Sequence, residues 1–172
     1  MDDDLDSDAR LQQFWELTQR YAKVGDLDVV MGKQWSEAVL PPAWSLGDSP
    51  ELADQVVEAV LTGRKTATTG LYEEYTKAEA ETPSVGDLSI LLDGHGHPRA
   101  LLRTVEVRVL PFSEVTAKQA AAEGDGDGTV DTWRTEHKAL WQAQEVDIDD
   151  TTDIVWERFK VLYPKGTRSG RR

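Results

Sequence analysis

Residues 88–110 constrain the fold of this chain more than any other stretch. Leu88–Leu92 is a short apolar run, Asp93–Pro98 contains glycine and proline, and Ala100–Leu110 alternates apolar and polar side chains. A period of two is typical of a strand with one buried face, and a glycine-containing segment between two such runs is typical of a turn. The stretch therefore predicts an antiparallel hairpin with one face in water.

The other patterns predict helices placed before and between short strands. This arrangement favours an α+β fold, built on a small, partly closed antiparallel β-barrel with flanking helices. The predicted helices are Ala9–Lys23, Ser49–Leu61, Ser113–Glu123 and Thr129–Gln144; the further strands are Thr66–Tyr72 and Ile154–Tyr163; and Glu73–Ser84 is predicted to be an exposed loop.

Length and composition limit the possible functions. The 172 residues suffice for one domain with an appendage, and 19 basic against 32 acidic residues give a net charge of -13. Such a charge disfavours a long polyanion held by many phosphate contacts. The absence of cysteine excludes disulfides, thiolate catalysis and cysteine-ligated zinc. The acidic N-terminus is unlike a signal peptide, and no apolar run is long enough for a membrane span, so we expect a cytoplasmic protein.

The segment Gly63–Thr68 presents an amine and hydroxyls where a helix ends and a strand begins. A phosphate-binding loop is excluded, because that motif needs glycine directly before its lysine and Arg64 precedes Lys65. The residues alone leave two interpretations open. Gly63 is an ordinary helix C-cap followed by strand-forming threonines, or Lys65 and the hydroxyls belong to a functional site.

Three other groups of side chains have chemical potential. Glu123 lies at the predicted end of a helix, where the dipole and partial burial are expected to raise its pKa; the alternative is a solvated helix end. His95 and His97 offer imidazoles, but glycine and proline between them favour a simple turn. Asp125–Thr129 begins like a calcium loop, yet Val130 replaces the required glycine, so no dedicated metal site is predicted.

Several blocks in register resemble the ASCH domain family of the PUA-like superfamily. They are Trp44–Asp54, Leu61–Thr68, Val85–Leu88, Ala120–Gly126 and Glu157–Val161. The chain is most similar to larger bacterial members that carry an N-terminal helical extension. The charge of the two ends predicts a disordered acidic N-terminus at 1–8 and a basic flexible tail at 165–172. The resemblance implies a helical extension at 9–43 and a PUA-like ASCH domain at 44–164.

The resemblance also implies a cleft for a nucleobase or an RNA end. Some small bacterial members are amidohydrolases that deacetylate N(4)-acetylcytidine with a lysine, a threonine and a glutamate. By motif position these are Lys65, Thr68 and Glu123 here. Other, larger members are described as ribonucleases, so the alternative is an RNA-binding protein or a metal-assisted ribonuclease. A divalent cation belongs only to that alternative, and the hydrolase needs no cofactor.

The implied partner is a nucleoside or RNA rather than a membrane. Arg64 and Arg103 are candidates for anion contacts, since many members carry arginine where this chain has Gly70, and Trp44 and Tyr72 are candidates for stacking on a base. For RNA, Arg64, Lys65, Arg103 and Arg108 would need to line one groove.

In the hydrolase, Thr68 would be the nucleophile, and Lys65 the base if a dry pocket or a cationic neighbour favours its neutral form. Glu123 would hold the lysine or protonate the leaving amine. Residues three apart in a regular strand point to opposite faces, so Lys65 and Thr68 can cooperate only if Lys65 precedes the strand or a bulge intervenes.

Overall fold

The computed structural model of the chain describes residues 2–22 and 39–165. Within these ranges five α-helices and five strands alternate irregularly. In chain order they are α1 (Asp2–Ala22), β1 (Ala43–Trp44), α2 (Pro50–Leu61), β2 (Ala67–Leu71), α3 (Tyr72–Lys77), β3 (Leu88–Leu92), β4 (Pro98–Pro111), a 3-10 turn (Phe112–Glu114), α4 (Ala117–Glu123), α5 (Val130–Ala143) and β5 (Asp153–Tyr163).

The strands form one mixed sheet in the order β1-β3-β4-β5-β2. β1 runs parallel to β3, with Ala43 opposite Ile90, whereas β2 runs antiparallel to β5, with Thr68 opposite Glu157. The predicted α+β class is confirmed. The predicted antiparallel barrel is not confirmed. The sheet of the described residues is open, contains a parallel pair and has β1 and β2 as its edge strands.

The predicted hairpin is present as β3 and β4. Its turn is closed by the Asp93 backbone N–H, which donates to the carbonyl of His97 at 2.9 Å. The expectation of one wet face is wrong at the start of β4, where three successive residues, Ala100, Leu101 and Leu102, are buried. Both faces of the strand are covered there, which removes the alternation that a half-exposed strand shows.

Several helix boundaries differ from the sequence-based expectation. α1 already begins at Asp2, ahead of the predicted start at Ala9. α3 occupies the first part of the predicted loop. The cap of α4 is Thr116, whose hydroxyl and Gln119 form a reciprocal capping box, so the predicted cap Ser113 lies in the 3-10 turn instead. The predicted end of the first helix, Lys23, and most of the connecting segment that follows it lie outside the described residues.

The chain divides into two compact units, each with its own apolar core. Unit 1 comprises the described parts of Met1–Glu58, Leu88–Leu102 and Val161–Arg172, and unit 2 comprises Ala59–Asp87 and Arg103–Lys160. Trp15, Ile90 and Leu101 centre the core of unit 1. The core of unit 2 is aromatic and is built from Ala67, Leu71, Phe112, Val115, Ala120, Trp133, Trp141, Ile154 and Trp156.

No helix within residues 2–22 and 39–165 combines the length and the apolar character that crossing a bilayer requires.

Candidate active site

Lys65 lies in a short connection between α2 and β2. Gly63 ends the helix with φ +78°, and the Lys65 backbone N–H still donates to the carbonyl of Ala59 at 2.9 Å. Since β2 begins at Ala67, Lys65 precedes the regular strand. The geometric condition for cooperation between Lys65 and Thr68 is therefore met without a bulge.

The Lys65 side chain is 5% exposed and its amine is surrounded by oxygen atoms. Nζ donates to the backbone carbonyl of Glu123 at 3.2 Å and lies 3.5 Å from Asp125 Oδ2 and 3.9 Å from Glu123 Oε2. Of the two conditions considered for Lys65 as a base, burial is present. A cationic neighbour is not among the contacts of its amine in the described residues, which are all oxygen atoms.

The end of α4 is fastened to the same connection through backbone contacts. Thr66 donates its backbone N–H to the carbonyl of Ala122 at 2.7 Å, and its hydroxyl donates to the same oxygen at 3.1 Å. Gly124 ends the helix with φ +70°, and a Cβ there would lie 2.2 Å from the carbonyl oxygen of Arg64. A side chain at position 124 is therefore incompatible with this close approach. We call these contacts, together with those of Lys65, the α4 clasp.

The Glu123 carboxylate, 1% exposed, has partners on both oxygens. Oε1 accepts hydrogen bonds from the Thr69 hydroxyl and from Trp133 Nε1, the latter at 2.9 Å. Oε2 lies 3.2 Å from His137 Nε2. Four side chains, counting Lys65, thus surround a single buried carboxylate, which fits the rule that a buried charge must be paired and hydrogen-bonded.

His137 is the second ionisable partner of Glu123 and lies on the apolar face of α5, which also carries Trp133 and Trp141; that position predicts a hydrogen-bonded core histidine. Its Nδ1 lies 2.9 Å from the carbonyl oxygen of Trp133, which can only accept, so Nδ1 carries a proton. Its Nε2 faces a carboxylate oxygen of Glu123.

The expected rise in the pKa of Glu123 is wrong. Burial is the largest single influence and raises this pKa, but the hydrogen bond and charge of His137, the charge of Lys65 and the hydroxyl of Thr69 together lower it below its usual value. Glu123 is consequently a stable carboxylate that holds Lys65. The other role considered for it, delivering a proton to a leaving amine, has no support from its surroundings.

Neighbouring threonines of β2 point to opposite faces of the sheet. Thr69 shares a face with the core residues Ala67 and Leu71 and reaches Glu123. Thr68 lies on the other face, directly opposite Glu157 of β5, and is half-buried. Among the described residues Thr68 makes no hydrogen bond to Lys65 or Glu123. The structure thus brings Lys65 and Glu123 together but leaves Thr68 on a different surface.

The face that carries Thr68 has its own polar groups, on β4, β5 and α3. The buried hydroxyl of Thr104 donates to Glu157 Oε1 at 2.5 Å. Burial raises the pKa of Glu157, and Asp87 adds to this effect against the opposing hydrogen bond from Thr104. The pKa of Tyr75 is also raised, by burial first and then by Glu157 and Glu74. Glu157 was missed as a site residue although it lies on the alternating face with Val155 and Phe159, where a carboxyl group is unexpected.

Comparison with known proteins identifies the family. A model of the ASCH domain matches residues 42–163 of the chain. The chain belongs to the ASCH domain family. Among solved structures, it is similar to the ASCH domain from Lactobacillus crispatus JV V101, with 23% identity and a TM-score of 0.73, over 90% of this chain and 95% of that one. It is also similar to protein EF3133 from Enterococcus faecalis V583, of family DUF984, with 27% identity and a TM-score of 0.65, over 84% and 96% of the two chains. The comparison with curated proteins gives no match.

The other residues predicted to bind substrate in this ASCH domain belong to different elements of the fold. Arg64 is exposed, Tyr72 is 37% exposed, and Arg103 is half-buried with an Nε that has no hydrogen-bond partner among the described residues. None of the three contacts the Lys65–Glu123 pair by a described hydrogen bond. Trp44 belongs to unit 1, in β1 beside β3.

The side chains of the ASCH domain do not fit a resident metal ion. Within residues 2–22 and 39–165, no group of three or more histidine or acidic side chains is arranged to hold one. The Asp93 carboxylate accepts the backbone N–H groups of His95 and His97, at 2.9 and 3.0 Å, which closes the turn. Asp127 accepts from Thr129 at the start of α5, and Asp125 faces Lys65. Both calcium-like aspartates thus have structural partners.

Proposed function

We propose that this ASCH domain protein binds a nucleobase, as a nucleoside or in RNA, and hydrolyses the amide of N(4)-acetylcytidine-type substrates. The supporting observation is the pairing of Lys65 with Glu123, whose contact joins positions 58 apart in the chain inside a nearly dry site. Burying such a pair costs solvation energy, and apolar replacements often give equal or greater stability. We assign this pair a positioning role, because it holds the connection that leads into β2 and Thr68.

The proposed reaction is an acyl transfer to Thr68 followed by hydrolysis. The Thr68 oxygen attacks the acetyl carbonyl carbon, its bond to that carbon forms, and the bond from carbon to the exocyclic nitrogen of cytosine breaks. The hydroxyl proton ends on the departing amine. Water then cleaves the threonine ester, which releases acetate and returns a proton to Thr68. The α4 clasp fixes the connection from which β2 and Thr68 start.

RNA binding or cleavage is the competing function, and the distribution of charge does not favour it. Of the four cations expected to line an RNA groove, Lys65 is buried against carboxylates and Arg108 pairs with Glu106 at 3.1 Å. The net charge of -13 also opposes a polyanion. RNA binding is therefore treated as one possible outcome of the experiment below.

The test is a parallel incubation of the protein with N(4)-acetylcytidine and with a short RNA, each with and without Mn²⁺. We expect salt-indifferent release of cytidine and acetate that does not depend on Mn²⁺. Lys65→Met should lower this release by at least about tenfold, because Glu123 and Asp125 lose their cation and the connection before β2 shifts. Lys118→Met, at an exposed lysine of α4, is the matched control and should leave turnover unchanged.

Circular dichroism of each variant, at the assay temperature, ensures that folded protein is compared. Intact N(4)-acetylcytidine beside RNA that is cleaved, or bound with steep loss of affinity in salt, would contradict the proposal.

A further inference from the structure

We propose that Glu157, rather than Glu123, is the carboxyl group that meets the substrate, and that Thr68, Tyr75 and Glu157 form the subsite for the amino edge of the base. This inference rests on the proposed function and deepens it. It differs from the assignment of the glutamate that the family resemblance implies.

The side chains of Thr68, Tyr75 and Glu157 lie on the same face of the paired strands β2 and β5. Thr68 and Glu157 are directly opposite in an antiparallel pair, so their side chains project to the same side. Gly70 also lies on that side, and a Cβ built there would lie 3.7 Å from the Tyr75 hydroxyl. The phenol of α3 therefore lies over the same face as Thr68. Glycine at position 70 keeps any side chain out of the space between them.

Glu157 has one oxygen without a hydrogen-bond partner among the described residues, whereas both oxygens of Glu123 have partners. Thr104 occupies Oε1 of Glu157, and Oε2 has no hydrogen-bond partner among the described residues. Thr68 likewise makes no side-chain hydrogen bond there. Glu157 and Thr68 are half-buried, so a ligand can reach them, while Glu123 is 1% exposed and surrounded by four side chains. A substrate can thus contact Glu157 without dismantling a buried network.

The chemistry of this subsite suits a neutral base edge. A carboxyl group whose pKa is raised by burial donates a hydrogen bond when protonated and accepts one when ionised. The edge of cytosine offers an amine donor beside a ring-nitrogen acceptor, and a carboxyl group can pair with both. In turnover, ionised Glu157 takes the Thr68 hydroxyl proton as the oxygen–carbon bond forms and passes it to the nitrogen as the carbon–nitrogen bond breaks, so protons balance. The groups that face Glu157 are Thr68, Tyr75, Asp87 and Thr104.

The experiment compares wild type, Glu157→Gln and Glu114→Gln in two assays. Glutamine keeps the acceptor for Thr104 and the size of the side chain but cannot exchange a proton. Glu114 is an exposed carboxyl group in the 3-10 turn and provides the matched control. Cytidine binding is measured by NMR titration, and cytidine release from N(4)-acetylcytidine by chromatography. Glu157→Leu, which removes all hydrogen bonding, is added to the binding assay, with thermal melting of every variant.

We expect Glu157→Gln to bind cytidine within about threefold of wild type but to release it at least about a hundredfold more slowly. Glu157→Leu should lose cytidine binding at least about tenfold while remaining folded, and Glu114→Gln should match wild type in both assays. Full turnover by Glu157→Gln, or unchanged binding by Glu157→Leu, would overturn the inference.

The two proposals fail in different ways. A wild-type protein that binds cytidine in a Glu157-dependent manner but leaves N(4)-acetylcytidine intact contradicts the proposed hydrolase and retains the subsite. A Glu157→Gln protein that deacetylates N(4)-acetylcytidine at the wild-type rate retains the hydrolase and removes the subsite. Absence of both binding and turnover removes both.

Discussion

At the scale of single residues, Glu123 and Glu157 show how surroundings decide what a carboxyl group can do. Both are drawn out of water in unit 2, and burial alone would raise the pKa of each. For Glu123, the hydrogen bond and charge of His137, the charge of Lys65 and the hydrogen bond from Thr69 together lower the pKa and reverse the direction. Glu157 faces a hydroxyl and a second carboxylate, so its raised pKa persists. Sequence patterns placed Glu123 at a helix end but did not reveal the neighbours that reverse its pKa.

These opposite shifts predict opposite pH dependences of stability. The folded-state pKa of Glu157 is above its ordinary value of 4.5, so its contribution is complete below that value and is lost as the pH rises through the folded pKa. The folded-state pKa of Glu123 is below 4.5, so its contribution is present above that value and is lost as the pH falls through the folded pKa.

The pH dependence of the unfolding free energy is measured by urea unfolding of wild type and Glu157→Gln at a series of pH values. Glu157→Gln should remove part of the decline in unfolding free energy above pH 4.5 and leave the acid limb, to which Glu123 contributes, unchanged. Parallel curves for the two proteins above that pH would contradict the assignment.

At the scale of elements, the sequence predicted the helices and strands that carry a clear apolar pattern. The hairpin β3–β4, helix α5 and strand β5 match the predicted segments closely, because an apolar run or a repeated apolar face defines each. α3 was missed because its six residues carry no apolar stripe and none is buried. The cap of α4 was misplaced because Ser113 and Thr116 both suit a cap, and only Thr116 has Gln119 at the reciprocal position.

The α4 clasp predicts a difference between two glycines of the same loop. Gly124 and Gly128 have φ values of +70° and +75°, but a Cβ at Gly124 would strike the carbonyl of Arg64, while Gly128 has nothing within 4 Å. Alanine at either position is destabilised by about 1–2 kcal/mol, because the left-handed backbone conformation is unfavourable for a residue with a Cβ. Gly124→Ala should lose roughly 2 kcal/mol more than Gly128→Ala in urea unfolding, because backbone atoms must move apart. Equal losses would show that the contact is not needed.

At the scale of the whole molecule, the sequence predicted the family and the α+β class but not the open sheet. The two-residue β1 and its parallel pairing with β3 have no pattern long enough to detect. The Lys65–Glu123 pair joins two distant segments, so only the resemblance to ASCH domains suggested it. That resemblance could not specify which face of β2 each threonine occupies, since this follows from the start of the strand at Ala67.

The most direct test of which face of β2 carries the reaction is therefore to compare Thr68→Val with Thr69→Val in the release of cytidine from N(4)-acetylcytidine. The two substitutions remove the same hydroxyl from adjacent positions, on opposite faces of β2. Thr68→Val should lower turnover by at least about a hundredfold with little change in melting temperature. Thr69→Val should melt earlier, because Glu123 loses a hydrogen bond, but should keep turnover within about tenfold. Loss of turnover in Thr69→Val alone would place the chemistry at Glu123 and contradict the account.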